Sequence, residues 1–543
     1  MESRQLSFLW WVNAGISYPY SEEALMFDLL ITNGIILDGT GGPSFHADIG
    51  IKDGKIMRIG QGLQEARKTI DAAGLTVTPG FIDSHSHSDG TILEFPELIE
   101  KIEQGITTSV AGQCGSSPAP ISRDVDPADA PQIAAFGKAT DVYKTAGVFL
   151  DTLKTLPMGS NTATFVGHGA LRKAVMGIEN RAPSEEELET MKALLRDGME
   201  HGALGVSFGL IYTPSCYADT DELIALAKVV GEYHGIVSAH IRNEGDRLIQ
   251  SVEEFLTVIR SANVRGIISH HKASGKINWG KIHTTLRMIE QANEEGLDVY
   301  CDVYPYIASN TTLSTFIPSE LRALGVLNVL KDPQQREKIK EWNRSRRTGD
   351  LSYVQVSSCL AFPQYEGKRV DEIARCMGVD QYEAVFRLIE GSDNNANACY
   401  FTMCEEDVET VIAHPRAMIC TDSGVAGNKR VFHPRLKASF PRALAHYVRE
   451  RKVTTLPEMI RKMTSMPAQV YGLKSKGLIW EGMDADLCIF DAEKICDKAT
   501  FTDCNQRAEG LNYVILNGEV VVKDAVFQNI LCGQFLKASI TVD

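Results

Sequence analysis

Residues 79–87 read PGFIDSHSH and place two histidines, His85 and His87, two positions apart after a short apolar run. Side chains alternate along a strand, so both imidazoles are expected to face the same side. If this run is the first strand of a (β/α)8 barrel, that side is the interior, near the mouth where such barrels carry their active sites. Two neighbouring imidazoles suit zinc. The stretch therefore predicts a metal site at the end of a first barrel strand.

Short β-rich runs alternate with helical stretches over residues 81–474. Such alternation is typical of βαβ units in a parallel sheet, and eight units predict an α/β fold of the (β/α)8 barrel type. Several of these runs end at residue types that bind metals or carry protons. The eight candidate strands end at His85/His87, Cys114, His168, Ser207, His240, His270, Tyr304 and Asp422.

Three further ligand-type residues follow apolar runs in this region. His240 ends VSAH, His270 follows IIS, and Asp422 follows MICT. Any one of them alone is more often a buried polar group with an internal partner, but together with the paired histidines they predict a metal-dependent hydrolase. The neighbour of His270 stays open as an alternative, because a shift of one residue in strand register would make His271 the ligand.

Short strands with Asn-Gly and Asp-Gly turns occur at both ends of the chain, over residues 27–59 and 482–523. These dipeptides favour tight hairpins. We therefore expect residues 26–80 and 475–543 to combine in one small β-sandwich domain.

The barrel is expected to occupy residues 81–474. About 110 residues separate Tyr304 from Asp422, which is too long for a single loop between barrel elements. We therefore expect an inserted subdomain at about 316–400. Residues 1–25 are interpreted as an extension before the fold, since no small-residue cleavage site of a signal peptide follows their apolar stretch.

The composition is that of a globular protein, with 44% hydrophobic and 23% charged residues in a chain of 543. A net charge of −15 argues against a nucleic-acid-binding surface, which needs clustered positive charge. No apolar run is long enough to span a membrane. The 12 cysteines show no CxxC spacing, which favours reduced thiols and a cytoplasmic location. The oligomeric state stays open.

Longer motifs around these residues resemble the amidohydrolase superfamily, and within it the D-aminoacylase, or N-acyl-D-amino-acid deacylase, family. The resemblance covers nearly the whole chain. The motifs are AGQCGSSPAP around Cys114, GHGALR at 167–172, GLIYTPSCYA at 209–218, HIRNEGD at 240–246, SHHKASG at 269–275, YPYIASNTTL at 304–313, TDSG at 421–424 and HPR at 433–435.

The resemblance implies zinc-dependent hydrolysis of N-acyl-D-amino acids to a carboxylate and a free D-amino acid. It implies one tight zinc, and it leaves open whether a second, weaker position is filled. The ligands of the tight zinc would be Cys114, His240 and His270, and those of the weaker position His85 and His87. Many amidohydrolases instead bridge two metals with a fourth-strand lysine, which the run LGVSFGL at 204–210 lacks.

The resemblance also implies how the substrate is held and cleaved. Asp422 would be the catalytic carboxylate, and Tyr212, Lys272 and Arg435 would bind the carboxylate of the N-acyl amino acid. The loop at 304–320 holds no Lys or Arg, which favours neutral or apolar D-amino acids. Two alternatives remain: an amidohydrolase acting on cyclic amides or D-dipeptides, and a non-catalytic barrel that serves as a scaffold.

Overall fold

The computed structural model describes residues 26–121, 145–322, 324–346, 349–427 and 431–537. The predicted N-terminal extension, residues 1–25, lies outside these ranges. The fold is mixed α/β, as predicted. Within the described ranges, no helix has the length and apolar character needed to cross a membrane.

The strands are β1 (Phe27–Ile36), β2 (Phe45–Lys52), β3 (Lys55–Gly60), β4 (Ala66–Asp71), β5 (Thr76–Pro79), β6 (Phe81–Asp83), β7 (Ile106–Ala111), β8 (Asn161–Thr164), β9 (Val166–Gly167), β10 (Gly205–Gly209), β11 (Ile236–His240), β12 (Arg265–Ile268), β13 (Val299–Val303), β14 (Ser309–Thr312), β15 (Val354–Ser358), β16 (Asn397–Tyr400), β17 (Ala417–Ile419), β18 (Leu487–Phe490), β19 (Leu511–Leu516), β20 (Glu519–Lys523) and β21 (Val526–Phe527).

The α-helices are α1 (Ile99–Ile102), α2 (Ala146–Leu153), α3 (His168–Met176), α4 (Glu185–His201), α5 (Thr220–Glu232), α6 (Leu248–Ala262), α7 (Lys281–Glu294), α8 (Ser319–Arg322), α9 (Val326–Lys331), α10 (Pro333–Arg346), α11 (Val370–Met377), α12 (Gln381–Gly391), α13 (Glu405–Ala413), α14 (Arg435–Arg442), α15 (Leu456–Met463) and α16 (Ser465–Val470).

Strands from both ends of the chain share one nine-stranded sheet. Its hydrogen-bonded order is β21-β20-β19-β18-β5-β1-β2-β3, and β4 pairs with β1. The two ends meet where β5 runs antiparallel to β18, with Val77 opposite Ile489. Both side chains are fully buried in an apolar core that also contains Ile31, Ile49 and Ile515. The terminal segments therefore form one hydrogen-bonded unit.

A second set of strands is parallel throughout. One group has the order β6-β7-β8 and the other the order β9-β10-β11-β12-β13-β17. The groups meet on one side where the amide of Phe165, between β8 and β9, donates to Ala111 O at 3.1 Å. On the other side the amide of Asp422 donates to His85 O at 2.9 Å, and Ser86 pairs with Ser423 in a parallel bridge. The carboxyl ends of β6 and β17 therefore lie side by side.

Helices fill the intervals between the parallel strands. Helix α4 begins with a capping box, in which the Ser184 hydroxyl accepts from the amide of Glu187 and the Glu187 carboxylate accepts from the amide of Ser184. Its buried residues Met191, Leu195 and Met199 recur every fourth position, so one helical face packs into the main apolar core.

The residues between β13 and β17 include a separate antiparallel sheet of order β14-β16-β15. An apolar core of its own lies beside it and includes Phe316, Val356, Phe386 and Ile389. The sheet begins at Ser309, earlier than the predicted boundary near residue 316. Its first strand follows the end of β13 closely, so this unit stands beside the carboxyl ends of the parallel strands.

Candidate active site

The predicted site residues gather where the parallel strands end. His240 is the last residue of β11, whereas His85, Cys114, His270 and Asp422 follow the ends of their strands by two or three residues. All five are buried, with at most 8% of each residue exposed. Because the carboxyl ends of neighbouring parallel strands open on one edge, residues far apart in sequence meet there.

Three of these residues adopt an unusual backbone conformation. Cys114, His270 and Asp422 have φ values of 54°, 35° and 47°, in the left-handed region that residues other than glycine seldom adopt. Such strain is held in place only by the surrounding structure, and it concentrates at functional sites.

The Cys114 sulfur lies at the centre of a histidine cluster. Its Sγ is 3.3 Å from Nε2 of His85, 3.3 Å from Nε2 of His270 and 3.7 Å from Nδ1 of His240. Burial opposes ionisation of the thiol, but the charges of His85 and His270 and the hydrogen bonds from His240 and His270 outweigh it. They hold the pKa of Cys114 well below its usual range. The environment therefore favours a thiolate, the form of cysteine that binds metals.

Asp422 lies beside this cluster. Its Oδ1 is 3.2 Å from Nε2 of His87 and 3.6 Å from Nε2 of His85, and its Oδ2 accepts from Nη1 of Arg435 at 2.5 Å. Burial raises the pKa of the carboxyl, but Arg435 and the neighbouring histidines more than compensate, and the pKa lies well below its usual range.

Two groups of side chains have the donor types and spacing to hold a metal ion. His85, His87, Cys114 and Asp422 form one, and Cys114, His240 and His270 form the other; the donor atoms within each group lie within 4.8 Å of one another. Sulfur, imidazole nitrogen and carboxylate oxygen are the ligands that zinc prefers. The residues present therefore fit zinc, and Cys114 is shared between the two groups.

Two carboxylates stand behind the imidazoles. Glu244 Oε1 is 3.1 Å from Nδ1 of His270 and its Oε2 is 3.7 Å from Nε2 of His240, while Asp302 Oδ1 is 3.5 Å from Nδ1 of His85. In each ring the other nitrogen faces the sulfur of Cys114. A carboxylate within hydrogen-bond distance of the second ring nitrogen orients a metal-binding histidine, and among these contacts Glu244 stands so placed towards His270.

His271 points away from the cluster. Its Nε2 lies 2.8 Å from Oγ1 of Thr285 on helix α7. Burial lowers the pKa of His271 to about 3, so the ring is neutral. The structure places His270, and not His271, within reach of the Cys114 sulfur.

The three predicted substrate-binding residues differ in their surroundings. Arg435 pairs with Asp422, and its Nη2 donates to Asn310 O at 3.2 Å. The Tyr212 ring lies edge-on to His240, with centroids 5.1 Å apart, and its hydroxyl is 3.3 Å from Oγ1 of Thr311. Lys272 donates to Glu244 Oε1 at 2.5 Å and lies 2.7 Å from Nδ1 of His270, so its ammonium stands behind the cluster.

A cavity of about 550 Å³ opens next to Tyr212. Its walls combine apolar side chains, including Ile178 and Leu327, with hydroxyl and amide groups and one cation, Arg322. Arg322 Nη2 donates to Ile211 O at 2.9 Å. Its buried Nε has no acceptor within the described part of the chain. The cavity wall therefore includes a guanidinium.

The amidohydrolase family model matches residues 68–284 and 287–522 of this chain. The chain belongs to the amidohydrolase family. A short amino-terminal stretch of this amidohydrolase, residues 13–78, also matches the N-terminal domain of the urease alpha-subunit.

Curated relatives place this amidohydrolase in the D-aminoacylase group. It is 34% identical over 511 residues to a D-aminoacylase of Alcaligenes xylosoxydans xylosoxydans. The aligned residues cover 94% of this chain and 97% of that protein. It is 35% identical to an N-acyl-D-glutamate deacylase of the same organism, over 92% of this chain and 94% of that one. The predicted resemblance is thereby confirmed.

A solved structure gives the same result. The N-acyl-D-glutamate deacylase of Bordetella bronchiseptica, crystallised with zinc and a phosphonate that mimics the tetrahedral intermediate, superposes with a TM-score of 0.82. The identity is 34%, over 95% of this amidohydrolase and 100% of that chain.

Sequence reasoning assigned no role to several residues of this site. Glu244 lies within the HIRNEGD motif, four residues after His240, but that spacing alone does not identify it as a partner of the imidazoles. Asp302 is a lone acid in the buried strand β13, a position that is costly unless the carboxylate has partners. Arg322 lies two residues beyond the loop at 304–320, and no sequence pattern identifies it.

Proposed function

We propose that this protein hydrolyses the amide bond of N-acyl-D-amino acids, with zinc, to a carboxylate and a free D-amino acid. One observation carries the proposal. The Cys114 sulfur lies within 3.7 Å of three imidazoles, and Asp422 contacts the same group of residues. The D-aminoacylase and deacylase activities of its relatives supply the class of substrate.

Cys114, His240 and His270 are proposed to hold a tight zinc. His85 and His87, with the shared Cys114 sulfur, are proposed to form a second and weaker position. Bound zinc polarises the scissile carbonyl and lowers the pKa of water towards neutrality.

Asp422 is proposed to be the general base and acid. It takes a proton from the attacking water and delivers it to the nitrogen of the departing amine, which is otherwise a poor leaving group. Its position supports this role, because one oxygen faces His85 and His87 while Arg435 holds the other. The arginine restricts the carboxylate to one orientation.

The substrate's own carboxylate requires cationic and hydrogen-bonding partners in a buried site. We propose that Arg435 and Tyr212 supply them, and that Lys272 completes the set. In the structure Lys272 forms an ion pair with Glu244. To bind the substrate as well, its ammonium must contact the substrate carboxylate and the Glu244 carboxylate at the same time.

The test compares wild type with Asp422→Asn, a substitution that keeps an oxygen to accept from Arg435. We expect wild type to cleave N-acetyl-D-methionine or N-acetyl-D-glutamate and to leave the L-isomers intact. The variant should retain its zinc and lose at least about 1,000-fold in kcat, since both proton transfers fail. Zinc-loaded wild type that cleaves none of these D-substrates would overturn the assignment, and cyclic amides would be tried next.

A second candidate concerns the side chain of the D-amino acid. The loop at 304–320 predicted a neutral or apolar one, but the cavity beside Tyr212 contains Arg322 with an unsatisfied Nε. A half-buried guanidinium that lines a cavity favours a carboxylate. We therefore propose acidic D-amino acids as the alternative substrates.

Arg322→Met separates the two candidates. If Arg322 binds a side-chain carboxylate, kcat/KM for N-acetyl-D-glutamate falls about 10- to 100-fold, the worth of a hydrogen bond to a charged group. N-acetyl-D-methionine should change little. Arg375→Met, in the same inserted unit but with 73% of its side chain exposed, is the matched control. A wild-type preference for N-acetyl-D-methionine that Arg322→Met leaves intact would restore the neutral side chain.

The finer features of the fold are proposed as well. The circuit of parallel strands from β6 to β17, which meet through Asp422 and His85, supports a (β/α)8 barrel over residues 81–474. The mixed core of β1, β2, β5, β18 and β19 supports a β-sandwich built from residues 26–80 and 475–543. The separate core around Phe386 supports an inserted subdomain at about 316–400.

All 12 cysteines are unpaired, which supports the predicted cytoplasmic location.

A further inference from the structure

Lys101 is a fully buried lysine in helix α1, shortly before the start of β7. Its ammonium donates to Oδ2 of Asp83 at 3.0 Å, to Oγ1 of Thr421 at 2.7 Å and to the carbonyl of Ser423 at 2.7 Å. An ammonium has three protons to donate. A fourth acceptor, Oγ of Ser423, lies 3.2 Å away, so three of the four acceptors belong to the residues on either side of Asp422.

Asp83, the partner of Lys101, is also fully buried. Its Oδ1 accepts from the amide of Thr421 at 2.8 Å and from the amide of His85 at 3.3 Å, and its Oδ2 accepts from the Thr421 hydroxyl at 2.6 Å. The ion pair therefore ties the end of β6 to the backbone that leads into Asp422. A buried charge pair is costly unless its remaining hydrogen-bonding capacity is used, and here it is.

The backbone of Asp422 needs such support. Its φ of 47° lies in the left-handed region, which a non-glycine residue keeps only where the surroundings fix it. The amide of Asp422 donates to His85 O, and the amide of Ser423 donates to Oγ1 of Thr421 at 3.2 Å. Lys101 therefore contacts the backbone turn around Asp422 through Thr421 Oγ1 as well as through Ser423.

The same short segment also reaches the partner of Asp422. Gln104, three residues after Lys101, donates from Nε2 to Leu436 O at 2.8 Å and accepts from the amide of Phe440 at 3.4 Å. Leu436 directly follows Arg435. Residues 101–104 therefore contact the backbone beside both members of the Asp422–Arg435 pair.

We propose that Lys101 is a positioning residue for Asp422. With Asp83, it fixes the peptide groups on both sides of Asp422, so that the carboxylate stays against His87 and Arg435 while it accepts and returns a proton. The inference rests on the proposed role of Asp422 in hydrolysis.

The test is Lys101→Met, and Lys462→Met is the matched control. Lys462 is equally buried and donates to the carbonyls of His414 and Ala417, at the opposite end of strand β17. Both variants should lower the unfolding temperature. Only Lys101→Met should lower kcat, by about 10- to 100-fold, as expected when a reacting group is misplaced by about 1 Å. KM should stay within about threefold, and the zinc content should equal that of wild type.

Two further measurements separate positioning from general destabilisation. Thr421→Val removes one of the groups that join Lys101 to the turn, and with it the acceptor of the Ser423 amide and a donor to Asp83. It should lower kcat about 10-fold even if Lys101→Met does not fold. In Lys101→Ala, added methylammonium should restore part of kcat. Equal kcat in the Lys101 and Lys462 variants, or an unaltered kcat in Thr421→Val, would overturn the proposal.

Crystal structures of the variants test the positioning role without any assumption about the substrate. In Thr421→Val, and in Lys101→Met if it folds, the Asp422 carboxylate should leave its place 3.2 Å from His87, whereas Lys462→Met should retain it. An undisplaced carboxylate overturns the positioning role. If the wild-type protein turns over no N-acyl-D-amino acid, the proposed function is overturned instead. The positioning role is then tested by the displacement of the Asp422 carboxylate alone.

Discussion

His270 and His271 are adjacent in sequence but have different surroundings. His270 lies against the Cys114 sulfur and in front of Glu244, whereas His271 packs against Thr285. Sequence alone left the pair open because the alternation rule holds only within a strand. Strand β12 ends at Ile268, and the φ of 35° at His270 breaks the alternation just beyond it.

The difference predicts unequal effects of one substitution at these two positions. His270→Asn should abolish tight zinc binding and lower kcat/KM by more than about 100-fold. Even the loss of a residue that only orients a metal ligand lowers metal affinity or activity about 10- to 100-fold. His271→Asn, which retains a partner for Thr285, should keep its zinc and most of its activity. Zinc content by atomic emission, measured beside turnover, checks both. Zinc loss in His271→Asn with retention in His270→Asn would reverse the assignment.

The other site residues show what a sequence can indicate at this scale. Cys114, His240 and Asp422 follow apolar runs in motifs that resemble a known family, so their proximity was predictable. Glu244 and Asp302 act on the imidazoles through their second nitrogens, and such contacts depend on side-chain directions that no spacing rule supplies.

At the scale of elements, the alternation of strands and helices predicted most of the order along the chain. The parallel strands appear where apolar runs precede ligand-type residues, because burial on both faces requires continuous apolar sequence. The strand β8–β9 was harder to place, since it is interrupted at Phe165 and its polar residues Asn161, Thr162 and Thr164 are buried.

The antiparallel sheet between β13 and β17 shows a limit of the same reasoning. The length between Tyr304 and Asp422 predicts an inserted subdomain, which stays a prediction, but it does not predict where this sheet begins. Strand β14 begins at Ser309 because it pairs with β16, a partner about 90 residues away. Helix α8 then brings Arg322 to the cavity beside Tyr212, which no local pattern indicates.

At the scale of the whole molecule, the pairing of β5 with β18 joins the two ends of the chain. Ile489 on β18 is fully buried opposite Val77 on β5. Ile489→Ala should therefore cost about 2–5 kcal/mol and should also loosen the amino-terminal strands. Hydrogen exchange of the amides in residues 76–79 should rise well above wild type.

Trp480→Ala is the control for this prediction. Trp480 lies in the same carboxyl-terminal region but is 41% exposed, so its removal should leave exchange in residues 76–79 unchanged. Equal exchange in Ile489→Ala and wild type would show that the amino-terminal strands are stable without their carboxyl-terminal partner.

The β5–β18 pairing also bears on how the chain acquires its structure on the ribosome. About 400 residues separate the two strands, which at 5–20 residues per second corresponds to about 20–80 s of synthesis. Throughout that interval β5 has emerged while its partner has not been translated. The nascent chain therefore exposes an unpaired apolar edge for many seconds, and this edge is where a chaperone would bind during translation.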